Sequence, residues 1–166
     1  MRSDEEIVEG DPWSVLPVKT AKFAKECKNI VLSNRGITKL KNFEFFDNLE
    51  ALWLNNNKVN RILIQLERID GLDSNFRIKL LCLQKNRIST LEGSLSKMKF
   101  LRTLYLNDNK LRNLDKIIEF LKYFSFLEEL NLFGNPLAEE PEYRYRTIYA
   151  LPSVVLLDRH SKACLF

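Results

Sequence analysis

Residues 101–111, Leu-Arg-Thr-Leu-Tyr-Leu-Asn-Asp-Asn-Lys-Leu, decide the fold of this chain. Apolar side chains stand at the first, fourth, sixth and eleventh places and an asparagine at the ninth, a spacing that neither an amphipathic helix nor a regular strand produces. The alternation of Leu104, Tyr105 and Leu106 predicts a short strand with both leucines on the buried side and the tyrosine on the other. The asparagine predicts a turn, because its side chain can bond backbone groups that a buried turn leaves unpaired.

The same template recurs along the chain, and the recurrence identifies a leucine-rich repeat. The ninth place holds Arg35 in a weaker first copy and then Asn57, Asn86, Asn109 and Asn135, so these places are separated by 22, 29, 23 and 26 residues. The apolar places of the other copies are filled by Cys27, Ile30, Leu32 and Ile37; Leu49, Leu52, Leu54 and Val59; Ile78, Leu81, Leu83 and Ile88; and Leu127, Leu130, Leu132 and Leu137. We therefore predict an α/β solenoid with a curved parallel sheet on its concave face. Short helices and 3₁₀ turns are expected on the convex face, with a helical cap at each end.

The chain is predicted to form one domain between two tails. Residues 1–16 are acidic and contain Gly10 and Pro12, which favours a disordered segment. The predicted domain covers residues 17–158, divided into a capping helix at 17–26, repeats at 27–138 and a carboxyl-terminal cap at 139–158, with a tail at 159–166. Both caps are expected because the end coils of a solenoid would otherwise expose their apolar faces. We also expect Asp158 to hold the last turn through backbone N–H groups.

Bulk composition excludes several classes of protein. The chain has 166 residues, of which 45% are hydrophobic and 29% charged, as is usual for a domain with one core. No apolar run approaches the ~18 residues of a membrane span, so no membrane segment is expected. Three scattered cysteines offer no disulfide framework and favour a reducing compartment.

Catalytic chemistry has few candidate residues. His160 is the only histidine and lies beside Arg159, which leaves no His/Cys metal spacing and no histidine-based triad. The five glycines form no phosphate-binding loop. We therefore predict a protein that is not an enzyme and holds no metal or cofactor.

The candidate binding surface is the concave face, where places three, five and seven point away from the core. Neighbouring strands lie ~4.8 Å apart, so apolar side chains at these places can form one continuous stripe. The stripe consists of Trp53, Leu80, Cys82, Tyr105 and Phe133. Exposed aromatic clusters commonly mark partner sites, although aromatics at place five can also simply cover the strands. We favour the first interpretation: a monomer that binds a helix or extended tail of a partner protein.

A row of lysines near the amino terminus raises a different possibility. Lys19, Lys22, Lys25 and Lys28 recur at every third residue and could contact phosphates. A solvated helix face is the simpler interpretation of such a charge run. Because no nucleic-acid recognition motif accompanies the lysines, direct nucleic-acid binding is not expected.

The two ends of the repeat region carry a family resemblance. The opening Leu32-Ser-Asn-Arg-Gly-Ile37 and the ending with Asn135-Pro136, Tyr143-Arg144, Leu151-Pro152 and Leu157-Asp158 resemble the intracellular class with 22-residue repeats. That class includes the leucine-rich repeat regulatory subunit of protein phosphatase 1, the axonemal dynein leucine-rich repeat light chain and the spliceosomal A-prime subunit. The ending resembles the capping element of that class, the LRRcap. The resemblance covers residues from about 27 to 158.

This resemblance implies an adaptor without catalytic activity. We expect a cytoplasmic protein in a ciliary or cytoskeletal assembly by analogy with the class. A nuclear ribonucleoprotein subunit and a phosphatase regulatory subunit are the alternatives. The spliceosomal member works through a protein partner, so the resemblance does not argue for direct contact with RNA.

Overall fold

The computed structural model of the chain describes residues 7–57 and 69–161. Its strands are β1 (Glu9–Gly10), β2 (Asn29–Val31), β3 (Lys39–Leu40), β4 (Ala51–Trp53), β5 (Leu80–Cys82), β6 (Thr103–Tyr105), β7 (Glu129–Asn131), β8 (Leu156–Leu157) and β9 (His160–Ser161). Its helices are α1 (Ala21–Glu26), α2 (Leu114–Leu121) and α3 (Tyr143–Ala150), with 3₁₀ helices at Pro12–Val15, Phe43–Phe45, Ser94–Lys97 and Pro136–Glu139.

Within the described residues, seven strands form one sheet in the order β2-β4-β5-β6-β7-β8-β9. All neighbouring pairs are parallel except the last, because β9 runs antiparallel to β8. The register places the fourth template place of each coil beside that of the next. A column of buried side chains therefore runs through the core: Ile30, Leu52, Leu81, Leu104, Leu130 and Leu157. The predicted leucine-rich repeat solenoid is confirmed.

The ladder asparagines, Asn57, Asn86, Asn109 and Asn135, connect each coil to the one before it. Asn109 shows the pattern: its Nδ2 donates to the carbonyl oxygens of Leu83 and Leu106, each at 2.9 Å. Its Oδ1 accepts from the backbone N–H of Ile88 at 2.9 Å. The other three repeat these bonds with small changes, and all four are at most 2% exposed. The ladder thus pairs backbone groups that the turn would otherwise bury without partners.

The residue before each ladder place adopts a left-handed conformation. The φ angles are 61° at Asn34, 55° at Asn56, 57° at Lys85, 57° at Asp108 and 70° at Gly134. Asparagine, aspartate and glycine tolerate this region, whereas lysine does so at a cost. At Gly134 a Cβ atom would lie 3.3 Å from the backbone nitrogen of Asp108, a close contact that adds to the preference for glycine at this φ.

The amino-terminal segment differs from the predicted disorder over residues 7–16. β1 pairs in parallel with β3, and the Pro12–Val15 3₁₀ helix places the Trp13 ring edge-on to Phe46, with 5.6 Å between centroids. Gly10 belongs to the packed structure, because a Cβ atom there would lie 2.8 Å from Cγ2 of Ile37. The residues that suggested disorder therefore allow close packing against the first coil.

The capping helix is also shorter than the predicted 17–26. α1 begins at Ala21 because Thr20 is its N-cap, with Oγ1 accepting from the N–H of Phe23 at 3.3 Å. Val59, which we placed in the second repeat, lies outside the described residues.

The carboxyl-terminal segment packs on the last repeat through α3 and β8, and Leu151, Val154 and Leu157 are buried there. The predicted tail differs from the structure at residues 160 and 161, which form β9. Arg144 supports this strand by donating to the carbonyl oxygens of His160 and Ser161 at 3.4 and 3.3 Å. None of the helices in the described part of the chain has the length and apolar composition that crossing a bilayer requires.

Candidate functional site

The concave face of the sheet is lined by the strand residues that point away from the core. Place five forms a single row across five strands, because the register aligns Val31, Trp53, Cys82, Tyr105 and Asn131. Phe133 extends beyond the end of β7 and is 62% exposed. Trp53, Leu80 and Tyr105 are half-buried.

Cys82 is buried at 3% exposure, so the prediction that it belongs to an exposed apolar stripe is wrong at this residue. Its short side chain lies in register between Trp53 and Tyr105, which are much larger. Burial raises the pKa of its thiol to about 11, with a smaller contribution from the charge of Glu129. The stripe is therefore divided, with Trp53 and Leu80 on one side of Cys82 and Tyr105 and Phe133 on the other.

Tyr105 is held in place by a carboxylate on the next strand. Its hydroxyl donates to Oε1 of Glu129 at 2.8 Å. Burial of the ring, followed by this hydrogen bond, raises the pKa of Tyr105 to about 12. The ring therefore presents a fixed and uncharged surface to a ligand, and its proton is already used in a bond within the protein.

A depression of about 1090 Å³ occupies the carboxyl-terminal end of the concave face. Tyr105 and Phe133 supply aromatic surface on its lining, and both signs of charge surround them. The other lining residues are Gln84, Lys85, Asn107, Asp108, Glu129, Asn131, Arg144, Asp158, Arg159 and His160. The repeat template does not predict this depression, because Arg144 and β9 reach it from the carboxyl-terminal segment.

Arg144 is the residue of that segment whose role is clearest. Besides its bonds to β9, its guanidinium donates to the carbonyl oxygen of Leu157 at 3.2 Å. The Tyr143-Arg144 pair was visible in the sequence as part of the family ending, but nothing in the spacing indicated that it would line the concave face. The arrangement offers apolar contact and hydrogen bonds to a ligand.

Across residues 7–57 and 69–161, no cluster of three or more His, Cys, Asp and Glu side chains is placed to hold a metal ion. His160 is exposed on β9, within the lining of the depression. The concave face thus combines a hydrogen-bonded sheet, separated aromatic side chains and a mixed-charge depression. These features define a leucine-rich repeat module with a surface suited to protein interaction.

The chain belongs to the Leucine-rich repeat family, whose model matches residues 64–163. It is 32% identical over 94 residues to human leucine-rich repeat-containing protein 23, and the aligned stretch covers 57% of this chain and 27% of that protein. It is 30% identical over 129 residues to the probable U2 small nuclear ribonucleoprotein A' of Caenorhabditis elegans, covering 78% of this chain and 40% of that protein. It therefore spans less than half the length of these two relatives.

Solved structures show the same fold at lower identity. The Drosophila melanogaster SNF/U2A' complex contains a chain that aligns with a TM-score of 0.71 and 23% identity, covering 94% of this chain and 86% of that one. The internalin C2 of Listeria monocytogenes aligns with a TM-score of 0.61 and 21% identity, covering 82% of this chain and 54% of that one.

Proposed function

We propose that this chain is a non-catalytic adaptor that holds a helix or tail of a partner protein against its concave face. The observation that carries the proposal is Phe133, a large ring left 62% exposed beside the half-buried Tyr105 at the rim of a wide depression. Aromatic side chains presented on a concavity are frequent anchors of protein interfaces. Trp53 and Leu80 extend the same surface towards the amino-terminal coils.

The face is suited to binding because little of it has to be ordered when a partner arrives. Its backbone is fixed by parallel strand pairing, and the Tyr105 hydroxyl is fixed by Glu129 at 2.8 Å. Binding to a surface ordered in advance loses less conformational entropy. Cys82 is not part of the proposed contact surface, because its side chain is buried.

The assembly that we propose is a ribonucleoprotein in which the chain acts through a protein partner. The support is the similarity to the C. elegans U2 protein, together with a fold shared with the U2A' chain that was solved in complex with SNF. A nuclear location would follow. The names of the relatives reported above give no support to the ciliary or cytoskeletal setting, or to phosphatase regulation.

SNF provides a defined probe for the test. We expect isothermal titration calorimetry to detect binding of SNF to this chain, and the double variant Trp53→Ala/Tyr105→Ala to weaken it at least about tenfold. The matched control is Tyr145→Ala/Tyr149→Ala, which removes two exposed rings from α3. Absence of binding would refute an SNF-like partner. Equal affinity of the wild type and the concave double variant would refute the concave site.

Direct RNA binding is tested separately. We expect a single-stranded oligouridine to show no salt-dependent binding to the isolated chain at physiological ionic strength. Binding that falls steeply with salt would show counterion release from phosphates, and would favour an RNA-contacting subunit instead.

A further inference from the structure

Three phenylalanines form an exposed row along the edge of the sheet where the strands begin. Phe76, Phe100 and Phe126 precede β5, β6 and β7 and are 46%, 49% and 50% exposed. The core is already closed behind them by residues at most 1% exposed, namely Ile78, Leu101 and Leu127. The half-exposed rings are therefore available for contact with another molecule. We call this surface the edge row.

The edge row is continuous across three coils. The register of β5, β6 and β7 brings Arg77, Phe100 and Phe126 to equivalent places. The rings of Phe100 and Phe126 stack with 6.3 Å between centroids and 26° between planes. On the preceding coil, the Arg77 guanidinium lies 5.8 Å from the centroid of the Phe76 ring. Three rings and one guanidinium thus lie along one edge, away from the concave rows.

The charges beside the edge row are unbalanced. Two nearby carboxylates are already paired, because Glu50 lies 3.0 Å from Lys28 and 2.7 Å from Lys79, and Glu128 lies 2.8 Å from Arg102. A third, Asp47, is exposed at the place in register with Phe76. Three further cations on the same edge have no carboxylate within 4.0 Å in the described part of the chain. These cations are Arg77, Lys97 and Lys99, all exposed. The surplus charge of the edge is therefore positive.

A cleft of about 420 Å³ opens beside Phe76 and Phe100. These two rings give it apolar surface, and Asn48, Glu50, Arg77 and Lys79 complete its lining. Since Glu50 is engaged by two lysines, the cleft has no free carboxylate to repel an acidic ligand. It has room for a large apolar side chain with carboxylates placed on either side.

We propose that the edge row is a docking site for an acidic segment of a partner protein that carries large apolar side chains. The apolar side chains fill the cleft and cover Phe126, while aspartates or glutamates pair with Arg77, Lys97 and Lys99. The complementary charges set the register of the segment and increase its rate of association. This site goes beyond the proposed concave interface and does not depend on it, because the two surfaces share no residue.

The geometry favours a protein segment over single-stranded nucleic acid. The rings of Phe100 and Phe126 already cover each other, with 6.3 Å between centroids, so a base would enter between them only by separating the pair. The edge row therefore offers apolar surface for side chains and no slot for a base.

The test uses a fluorescein-labelled peptide of about sixteen residues, rich in glutamate, with leucine and tryptophan at helical spacing. We expect fluorescence anisotropy to show binding that weakens at high salt. Phe100→Ser/Phe126→Ser should weaken binding at least about tenfold, because it removes the stacked pair. The matched control is Tyr145→Ser, which removes an exposed aromatic ring from α3 and should leave the affinity unchanged.

A charge exchange tests the proposal without altering the rings. Lys97→Glu/Lys99→Glu should lose the acidic peptide and gain a peptide in which lysine replaces every glutamate. The proposal is overturned if the wild type does not bind the acidic peptide, or if Tyr145→Ser weakens binding as much as the edge variant. It is also overturned if charge exchange leaves the preference unchanged, or if oligouridine binds more tightly with the same dependence on Phe100.

Discussion

The hydroxyl of Tyr143 donates a hydrogen bond of 2.9 Å to Oδ2 of Asp158, fifteen residues later in the chain. The other carboxylate oxygen accepts from the backbone N–H groups of Leu132 and Phe133, at 2.8 and 3.0 Å. One carboxylate thus joins α3, the end of β8 and the exit from β7. Burial of the tyrosine, followed by the charge of Asp158, raises the pKa of Tyr143, so the hydroxyl remains a donor at ordinary pH.

Removing this carboxylate is expected to weaken the carboxyl-terminal segment. Asp158→Ala leaves the Leu132 N–H and the Tyr143 hydroxyl without their acceptor, whereas the Phe133 N–H keeps Oδ1 of Asn131 at 3.2 Å, so we expect a loss of about 2–3 kcal/mol in the free energy of unfolding. Tyr143→Phe removes one bond and should cost about 1 kcal/mol. Urea denaturation gives both values, with Arg159→Ala as the control. A loss for Asp158→Ala no larger than that of the control would contradict the anchoring role.

Asn109→Ala is expected to cost about 1–3 kcal/mol of stability, because it leaves buried backbone groups of two coils unpaired. The control is Asn107→Ala, which lies two residues earlier and is half-buried on the concave face. A change within about 0.5 kcal/mol is expected there. Thermal melting of the two variants compares them directly. Equal melting temperatures would rule out a special role for the ladder position.

Lys85 offers a stabilising substitution. It is in the left-handed region with φ of 57°, where the first two coils have asparagine. Lys85→Asn should raise the free energy of unfolding by about 0.5–1 kcal/mol, since asparagine adopts this conformation more readily. Lys110→Asn is the control, because that exposed lysine is not among the residues with positive φ. Equal or lower stability of Lys85→Asn would show that the left-handed turn is not a source of strain.

Tyr105 should make stability depend on alkaline pH. Its pKa is about 12 in the folded protein and its ordinary value is 10.0, so the folded state holds the proton more tightly. The resulting stabilisation is fully present below pH 10 and is lost as the pH rises from about 10 to 12. Tyrosinate absorbance of the wild type minus that of Tyr105→Phe gives the midpoint. A midpoint near 10 would mean that burial and Glu129 do not hold the hydroxyl.

Truncation separates the two parts of the carboxyl-terminal region. Removing residues 139–166 should cause aggregation or loss of cooperative melting, because the last repeat then exposes its apolar end. Removing residues 160–166 should cost about 1 kcal/mol, since β9 and two of the three carbonyl acceptors of Arg144 are lost. Light scattering and calorimetry distinguish these results. A soluble, cooperatively melting protein after the longer truncation would show that residues 139–158 are not structural.

Much of the fold could be predicted because it depends on local spacing. The strands and the ladder asparagines follow from an eleven-residue template, and the template also fixes which side chains enter the core. The burial of Cys82 could not be predicted in this way. It depends on the sizes of Trp53 and Tyr105, which are distant in sequence and become neighbours only through the register.

The binding surfaces were harder to predict for a related reason. The phenylalanines of the edge row lie outside the eleven places of the template, so the template does not predict their position or exposure. The depression at the carboxyl-terminal end requires Arg144, whose direction is set by its bonds to Leu157 and β9. Residues 7–16 were misinterpreted because Gly10 can indicate either flexibility or close packing, and only the approach of Ile37 distinguishes them.

The reversed direction of β9 limits how this array could be lengthened, by evolution or by design. An extra coil inserted between β4 and β7 would meet parallel neighbours on both sides, and its asparagine would find the same acceptors in the coil before it. A coil added after β9 would face a strand running the opposite way, without equivalent acceptors for its ladder residue. Duplication of an internal coil is therefore the route by which the concave face could grow to fit a longer partner.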